Sequence, residues 1–143
     1  LEYNEDKNEW QFRDGSRRIY DIATVSEGVK KLSILDLLLG NHYLDNQSII
    51  LIDEAEANLH PSLITRLLDT ILMLAKAGLQ FFIASHSYFV IKRLYIMAHK
   101  YNVNIPVLSF DSGECKVSDL QQEMPKNPII EESINLYKDE ISL

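Results

Sequence analysis

Acidic and histidine side chains directly follow two short apolar runs of the sequence. Asp53 and Glu54 come after the apolar residues 49–52, and His86 comes shortly after residues 81–84. A carboxylate in such a place can hold magnesium, a hard cation that prefers oxygen ligands. A neighbouring carboxylate can orient or deprotonate an attacking water molecule. These residue types therefore predict hydrolytic chemistry at the ends of two strands.

The patterns around these residues predict the elements that position them. Residues 48–52 form a continuous run rich in β-branched side chains, which is typical of a strand buried on both faces of a parallel sheet, and residues 79–84 form a second run. Between the runs, Pro61 opens a helical pattern that Gly78 ends. Alternating strands and helices with short connections predict a parallel α/β sheet. Ligands of such sheets bind at the carboxyl ends of the strands.

Two predicted elements precede the first strand. Residues 10–23 alternate loosely between apolar and polar around an Asp-Gly pair, which predicts a hairpin or short strand. Residues 2–8 are expected to be a frayed end. Ser26 stands as an N-cap before apolar residues at three-and-four spacing, so we predict an amphipathic helix that ends near Gly40.

The carboxy-terminal third is predicted to be a helix, a hairpin and a final helix. Apolar residues over 90–97 have helical spacing. Residues 105–110 and 116–117 flank a turn-like Asp-Ser-Gly segment, which predicts a hairpin. A final short helix is predicted over 129–137.

Three motifs occur in an order that indicates a family resemblance, although each motif alone is only a weak to moderate signal. Residues 49–54 have the form of a Walker B motif, the helix opening at residues 25–32 precedes it, and His86 ends the next strand. In this order the chain resembles the ABC-type ATPases, specifically the AAA-labelled, SMC-like and overcoming-lysogenization-defect-like branch. The resemblance covers residues 24–94. It implies a partial P-loop NTPase (ABC-type) α/β fold, with a mostly parallel sheet flanked by helices and a carboxy-terminal hairpin and helix.

The resemblance also implies roles for individual residues, with ATP and Mg²⁺ as cofactors. Asp53 is similar to the magnesium-associated acid, Glu54 to the catalytic base and His86 to the switch histidine that contacts the γ-phosphate. In the family, a signature motif and a D-loop act across a dimer interface. Their positions here are Ser26, Gly28, Lys30, Asn58 and His60.

The phosphate-binding element of such an ATPase does not occur in the sequence. None of the five glycines is followed by Lys and then Ser or Thr, as a Walker A motif requires. We therefore expect residues 1–143 to be the carboxy-terminal half of an ABC-type ATPase domain, inactive alone. Its expected parts are an initial hairpin (1–23), a core with signature, Walker B and switch elements (24–98), and a hairpin with a terminal helix (99–143).

Two partners are expected from this reading: the missing amino-terminal Walker A half, and a second copy of the protein upon ATP binding. Without the Walker A strand, the strand at 79–84 would lose a hydrogen-bonding neighbour, and unpaired strand edges recruit other strands. We expect strand 105–110 to fill the gap, or self-association through that edge, or a requirement for the missing half.

Composition limits the alternatives. The 143 residues have a net charge of −7, so the chain has no overall positive field that would attract nucleic acid. If the parent protein binds nucleic acid, we expect another part of it or a partner to make the contact. The apolar runs are far shorter than the roughly 20 residues that cross a bilayer. Cys115 is the only cysteine, which excludes an intrachain disulfide and favours a reducing, cytoplasmic setting. Because the chain begins at Leu1 rather than Met, we expect a piece of a longer protein.

Two other functional readings remain open. The chain can be a non-catalytic dimerisation or regulatory module derived from the ATPase fold, which the missing Walker A motif favours. It can also be a nuclease that uses Asp53, Glu54 and Glu56 with a metal, although a second acidic cluster at a strand end is lacking. The complete set of two acids and His86 argues for the ATPase.

Overall fold

The computed structural model describes the backbone of all 143 residues and every side chain except that of Glu27. The chain folds into two compact units, Leu1–Ala84 and Ser85–Leu143. We refer to them as the first unit and the second unit. No helix in the described part of the chain is both long and apolar enough to cross a membrane.

The first unit begins with a three-stranded antiparallel sheet. Its strands are β1 (Glu2–Asn4), β2 (Glu9–Arg13) and β3 (Ile19–Asp21), in that spatial order, and a short 3₁₀ helix (Ile22–Thr24) follows. The predicted hairpin is confirmed in β2 and β3. The prediction of a frayed end over residues 2–8 is wrong, because β1 is paired with β2.

Two cross-strand contacts explain why this end is ordered. Tyr3 lies opposite Trp10, and their ring centroids are 5.2 Å apart. A guanidinium nitrogen of Arg13 donates to a carboxylate oxygen of Glu2 at 2.7 Å. That hydrogen bond lowers the pKa of the Glu2 carboxyl and raises the pKa of Arg13. Aromatic and opposite-charge pairs across strands are the contacts that stabilise small sheets.

The rest of the first unit is one helix followed by a strand, helix and strand. The elements are α1 (Glu27–Gly40), β4 (Ile49–Asp53), α2 (Pro61–Lys76) and β5 (Gln80–Ala84). Strands β4 and β5 are parallel and in register from Ile49–Gln80 to Asp53–Ala84, and α2 packs against β5. These elements lie where the sequence predicts them, and the parallel α/β arrangement is confirmed.

One feature of the β4–β5 pair differs from the sequence prediction. The strand at 48–52 was expected to be buried on both faces, but its residues alternate between exposed and half-buried. Leu51 is 77% exposed, and Ile49 and Phe82 on the same strand pair are 57% and 50% exposed. A continuous apolar run indicates that side chains on both faces of the strand are apolar. Whether they are buried depends on which other elements pack against each face. We call Ile49, Leu51 and Phe82 the open apolar face.

The core of the first unit lies mainly along α2. Leu68 is fully buried there, whereas Met73 of the same helix is 63% exposed. We expect Leu68→Ala to lower the free energy of unfolding by about 2–5 kcal/mol, because it leaves a cavity in a closely packed core. Met73→Ala serves as the matched control and should cost less than about 0.5 kcal/mol. Urea denaturation measures both, and equal costs would contradict this assignment of the core.

The second unit contains α3 (Tyr88–Tyr101), β6 (Pro106–Asp111), β7 (Glu114–Asp119) and α4 (Pro128–Ile141). The hairpin prediction is confirmed: β6 and β7 are antiparallel, and their two-residue loop has positive φ at Ser112 and Gly113, as tight hairpin turns require. A buried cluster joins α3, the segment after β7, and α4; its members are Ile91, Ala98, Leu120 and Ile130.

Two predictions for this unit need correction. The final helix is longer than predicted, because Asn127 caps it by accepting from the Ile130 N–H at 3.1 Å and the helix continues to Ile141. Strand 105–110 was one candidate for the gap beside β5. Its residues instead pair with β7, since a tight turn brings that neighbour close at little entropic cost.

Candidate functional site

The two acids after β4 lie at the carboxyl end of the parallel pair. Asp53 is the last residue of β4, it pairs in register with Ala84, and its side chain is exposed. Glu54 follows in the left-handed conformation with φ of 46°. Its N–H donates to the Ala84 carbonyl at 3.0 Å. A non-glycine residue in this conformation costs about 1–2 kcal/mol, so the surrounding contacts must hold it there.

The segment after Glu54 consists of two consecutive turns that lead into α2. The Ala57 N–H donates to the Glu54 carbonyl at 3.0 Å, and the Leu59 N–H donates to the Glu56 carbonyl at 3.1 Å. Asn58 is also left-handed, with φ of 59°. Ala55 is fully buried and anchors the segment. The backbone around Asn58, a predicted D-loop position, is therefore held by these two turns and by the buried Ala55.

His60 is the N-cap of α2. Its Nδ1 accepts from the Ser62 N–H at 3.3 Å, and Pro61 occupies the first helical position. The structure thus gives His60 a local role in starting α2, and its imidazole is exposed.

The predicted signature residues lie at the start of α1. Ser26 is the N-cap by position, as predicted, but its hydroxyl makes no cap hydrogen bond to a described group. Its carbonyl accepts from the Lys30 N–H at 3.0 Å. The first N–H groups of a helix have no intrahelical partner and attract anions. The exposed Ser26 and half-buried Lys30 side chains lie beside that end.

Gly28 is buried, and the structure gives a steric reason for its lack of a side chain. A Cβ added there would lie 2.8 Å from Leu59 Cγ and 3.1 Å from the Asn58 carbonyl oxygen, and it would overlap Leu59 Cδ2. The start of α1 therefore packs directly on the segment after β4. The sequence suggested Gly28 as a phosphate-binding residue and gave no sign of this packing role.

Lys31, which the sequence analysis did not single out, joins α1 to the end of β4. Its Nζ donates to the Glu54 carbonyl at 2.7 Å and to the Asp53 carbonyl at 3.3 Å. Residues three apart on a helix share a face. The spacing between Gly28 and Lys31 was therefore the available signal that both contact the same neighbour.

His86 lies between β5 and α3, two residues after Ala84, and belongs to the second unit. Its side chain is exposed. The Ser87 N–H donates to Ser85 Oγ at 3.1 Å, which shapes the link before α3 begins. Within the first unit, Gly28 contacts the segment that contains Asn58. His86 is connected to that unit by the chain itself, since it follows Ala84 by two residues.

The Asp53 carboxylate and the start of α1 could hold magnesium and a phosphate group, respectively. Among the described side chains, no three His, Cys, Asp or Glu residues cluster as a metal site. Asp53 instead offers one exposed carboxylate, which suits Mg²⁺ because that ion is usually held by one or two carboxylates, substrate phosphates and water. The start of α1 suits an anionic phosphate.

Comparison with known proteins identifies the family. Residues 2–92 match the family described as "AAA domain, putative AbiEii toxin, Type IV TA system". The chain belongs to this family. The match of this AAA-domain chain includes the antiparallel sheet β1–β3, which lies outside the residues 24–94 on which the sequence resemblance rested. No curated protein matches the chain.

One solved structure is similar to this AAA-domain chain over most of its length. It comes from work on "Structural biochemistry of ATP-driven dimerization and DNA stimulated activation of SMC ATPases". The TM-score is 0.56 at 18% sequence identity, with 92% of this chain and 71% of that chain covered. A likeness at this identity shows the fold, which is P-loop NTPase-like. Together with the family match over residues 2–92, this fold confirms the expected ABC/AAA-type ATPase-like domain.

Proposed function

We propose that this chain supplies the signature, Walker B and switch elements of an ABC-type ATPase domain, and that the complete protein hydrolyses ATP. The observation that supports this most is the register of β4 and β5. Asp53 lies directly beside Ala84, so the two acids and the link that holds His86 begin at the same edge of one parallel pair. Open α/β sheets bind their ligands at this edge.

In this proposal each polar group at the strand ends has one role. Asp53 helps to hold Mg²⁺, which when bound neutralises charge on the phosphates of ATP. Glu54 orients the attacking water and accepts its proton. His86 donates to the γ-phosphate and contacts the same water. The left-handed backbone of Glu54 sets where its side chain leaves the strand.

The signature residues are proposed to act on the ATP of a second copy. Ser26, Gly28 and Lys30 lie at the start of α1, where free N–H groups and the helix dipole favour a γ-phosphate. Asn58 and His60 contribute the D-loop at the same interface. A homodimer that forms on ATP binding follows, and the structurally similar SMC ATPases are described as undergoing ATP-driven dimerization.

The Walker A half is proposed to come from another segment of the complete protein. Residues 1–143 contain no Gly-Lys-Ser/Thr sequence and form the carboxy-terminal half, with the parts 1–23, 24–98 and 99–143. The open apolar face supports this proposal. Leu51 lies two residues before Asp53, on the same exposed side of β4, so chain that covers this face would come close to the acids.

A non-catalytic interaction module is the second candidate, and the same open apolar face favours it. Exposed, contiguous apolar side chains mark interaction surfaces in soluble proteins. The two candidates differ in whether a partner produces turnover. A binding module has no need for Asp53, Glu54 and His86 together.

Reconstitution of activity tests the proposal. We expect this chain alone to hydrolyse ATP with Mg²⁺ at background rate, and addition of the Walker A half to raise the rate at least tenfold. Leu51→Asp should prevent that gain, because it buries a charge in the contact. Lys116→Met, an exposed change on β7, serves as control. Binding of the partner half without turnover would favour the interaction module.

A further inference from the structure

The Glu54 peptide is held from three sides. Its N–H donates to the Ala84 carbonyl, and its own carbonyl accepts from the Ala57 N–H and from Lys31 Nζ. Two of these partners, the Ala84 carbonyl and the Ala57 N–H, belong to the neighbouring strand and to the turn that follows Glu54. The third comes from α1, an element far away in sequence, and at 2.7 Å it is a short hydrogen bond from a charged group.

This arrangement matters because Glu54 has an unfavourable backbone conformation. With φ of 46° the residue lies in the left-handed region, which a residue with a Cβ leaves readily unless its neighbours fix it. A lysine ammonium has three donors, and here two of them reach the successive carbonyls of Asp53 and Glu54. Both carbonyls must face the same way for this contact, so Lys31 stabilises the turn itself.

Lys31 also connects this turn to the predicted signature end of α1. It lies one helical turn after Gly28, whose backbone packs on Asn58 and Leu59. Steric contact at Gly28 and hydrogen bonds at Lys31 thus fix α1 against both ends of the segment 53–59. A shift of α1 would change the Glu54 peptide through these contacts.

We propose that Lys31 is a positioning residue, which couples the signature end of α1 to the conformation of Glu54. The inference rests on the proposed function, in which Glu54 is the base and the start of α1 binds a γ-phosphate. Lys31 contacts backbone carbonyls rather than substrate. Its loss should therefore lower the rate of hydrolysis while leaving ATP binding intact.

The test uses the complete protein with three variants: Lys31→Met, Lys31→Arg and the control Lys116→Met. We expect Lys31→Met to lower kcat by about tenfold to a hundredfold, because small misplacements of a reacting group have effects of this size, while KM for ATP changes less than about twofold. Lys31→Arg keeps a charged donor and should retain a rate within about threefold. If Lys31→Met does not fold, the Arg variant decides: a KM increase at unchanged kcat would overturn the proposal.

Hydrogen exchange gives a readout that does not depend on turnover. In Lys31→Met the amide of Glu54 should exchange about tenfold faster, because the turn opens more often, whereas amides of α2 should be unchanged. Unchanged exchange and unchanged kcat in Lys31→Met would overturn the role of Lys31. Full turnover in Glu54→Gln would instead overturn the proposed function, so the two failures are distinguishable.

Discussion

Replacing Glu54 with Gln in the complete protein is expected to lower kcat by about 10²–10⁴-fold, the usual contribution of a general base. Glutamine has nearly the shape of glutamate but cannot accept the proton of the attacking water. The backbone contacts of Glu54 with Ala84, Ala57 and Lys31 do not involve its side chain. Because these backbone contacts are retained, we expect the fold and ATP binding to survive while hydrolysis slows.

ATP-bound dimers should accumulate in Glu54→Gln, because hydrolysis is the step that would separate them. Light scattering during size-exclusion chromatography with ATP and Mg²⁺ measures this, together with phosphate release. Glu132→Gln on α4 replaces an exposed carboxylate of the second unit and should behave as wild type. Turnover within a few-fold of wild type in Glu54→Gln would show that another group is the base.

Replacing Gly28 with Ala is expected to affect both stability and dimerisation. The added Cβ would lie 2.8 Å from Leu59 Cγ, so the packing of α1 on the following segment must shift. Overpacking of this kind costs about 1–3 kcal/mol. In the complete protein, ATP-dependent dimerisation should weaken at least tenfold, since the start of α1 is proposed to grip the partner's phosphate.

A second substitution separates the two effects. Leu59→Ala removes the two atoms closest to the new Cβ and leaves only the Asn58 carbonyl oxygen at 3.1 Å, so the double variant should regain about 1 kcal/mol of stability relative to the sum of the single changes. Dimerisation should stay weak. If it returns together with stability, Gly28 serves packing alone. Gly40→Ala in the same helix is the control, because no described atom outside its immediate neighbours lies within 4 Å of its added Cβ.

Much of the secondary structure could be predicted from local patterns. Pro61 and Gly78 delimit α2 because proline fits the first helical position and glycine adopts the positive φ that ends a helix. The run before Asp53 became β4 because β-branched residues favour strands. Patterns failed where a neighbour decided the outcome. The order of residues 2–4 depends on β2, and the exposure of Leu51 depends on chain that would cover it.

The order of the motifs along the chain was enough to predict the family resemblance and the candidate residues Asp53, Glu54 and His86. Residue type and spacing are enough for this because they are chemical properties of the chain. The packing of Gly28 against Leu59 and the hydrogen bond from Lys31 to the Glu54 carbonyl are visible only in the folded protein. Contacts between residues more than 20 positions apart depend on how helices and strands pack, and no local pattern contains that information.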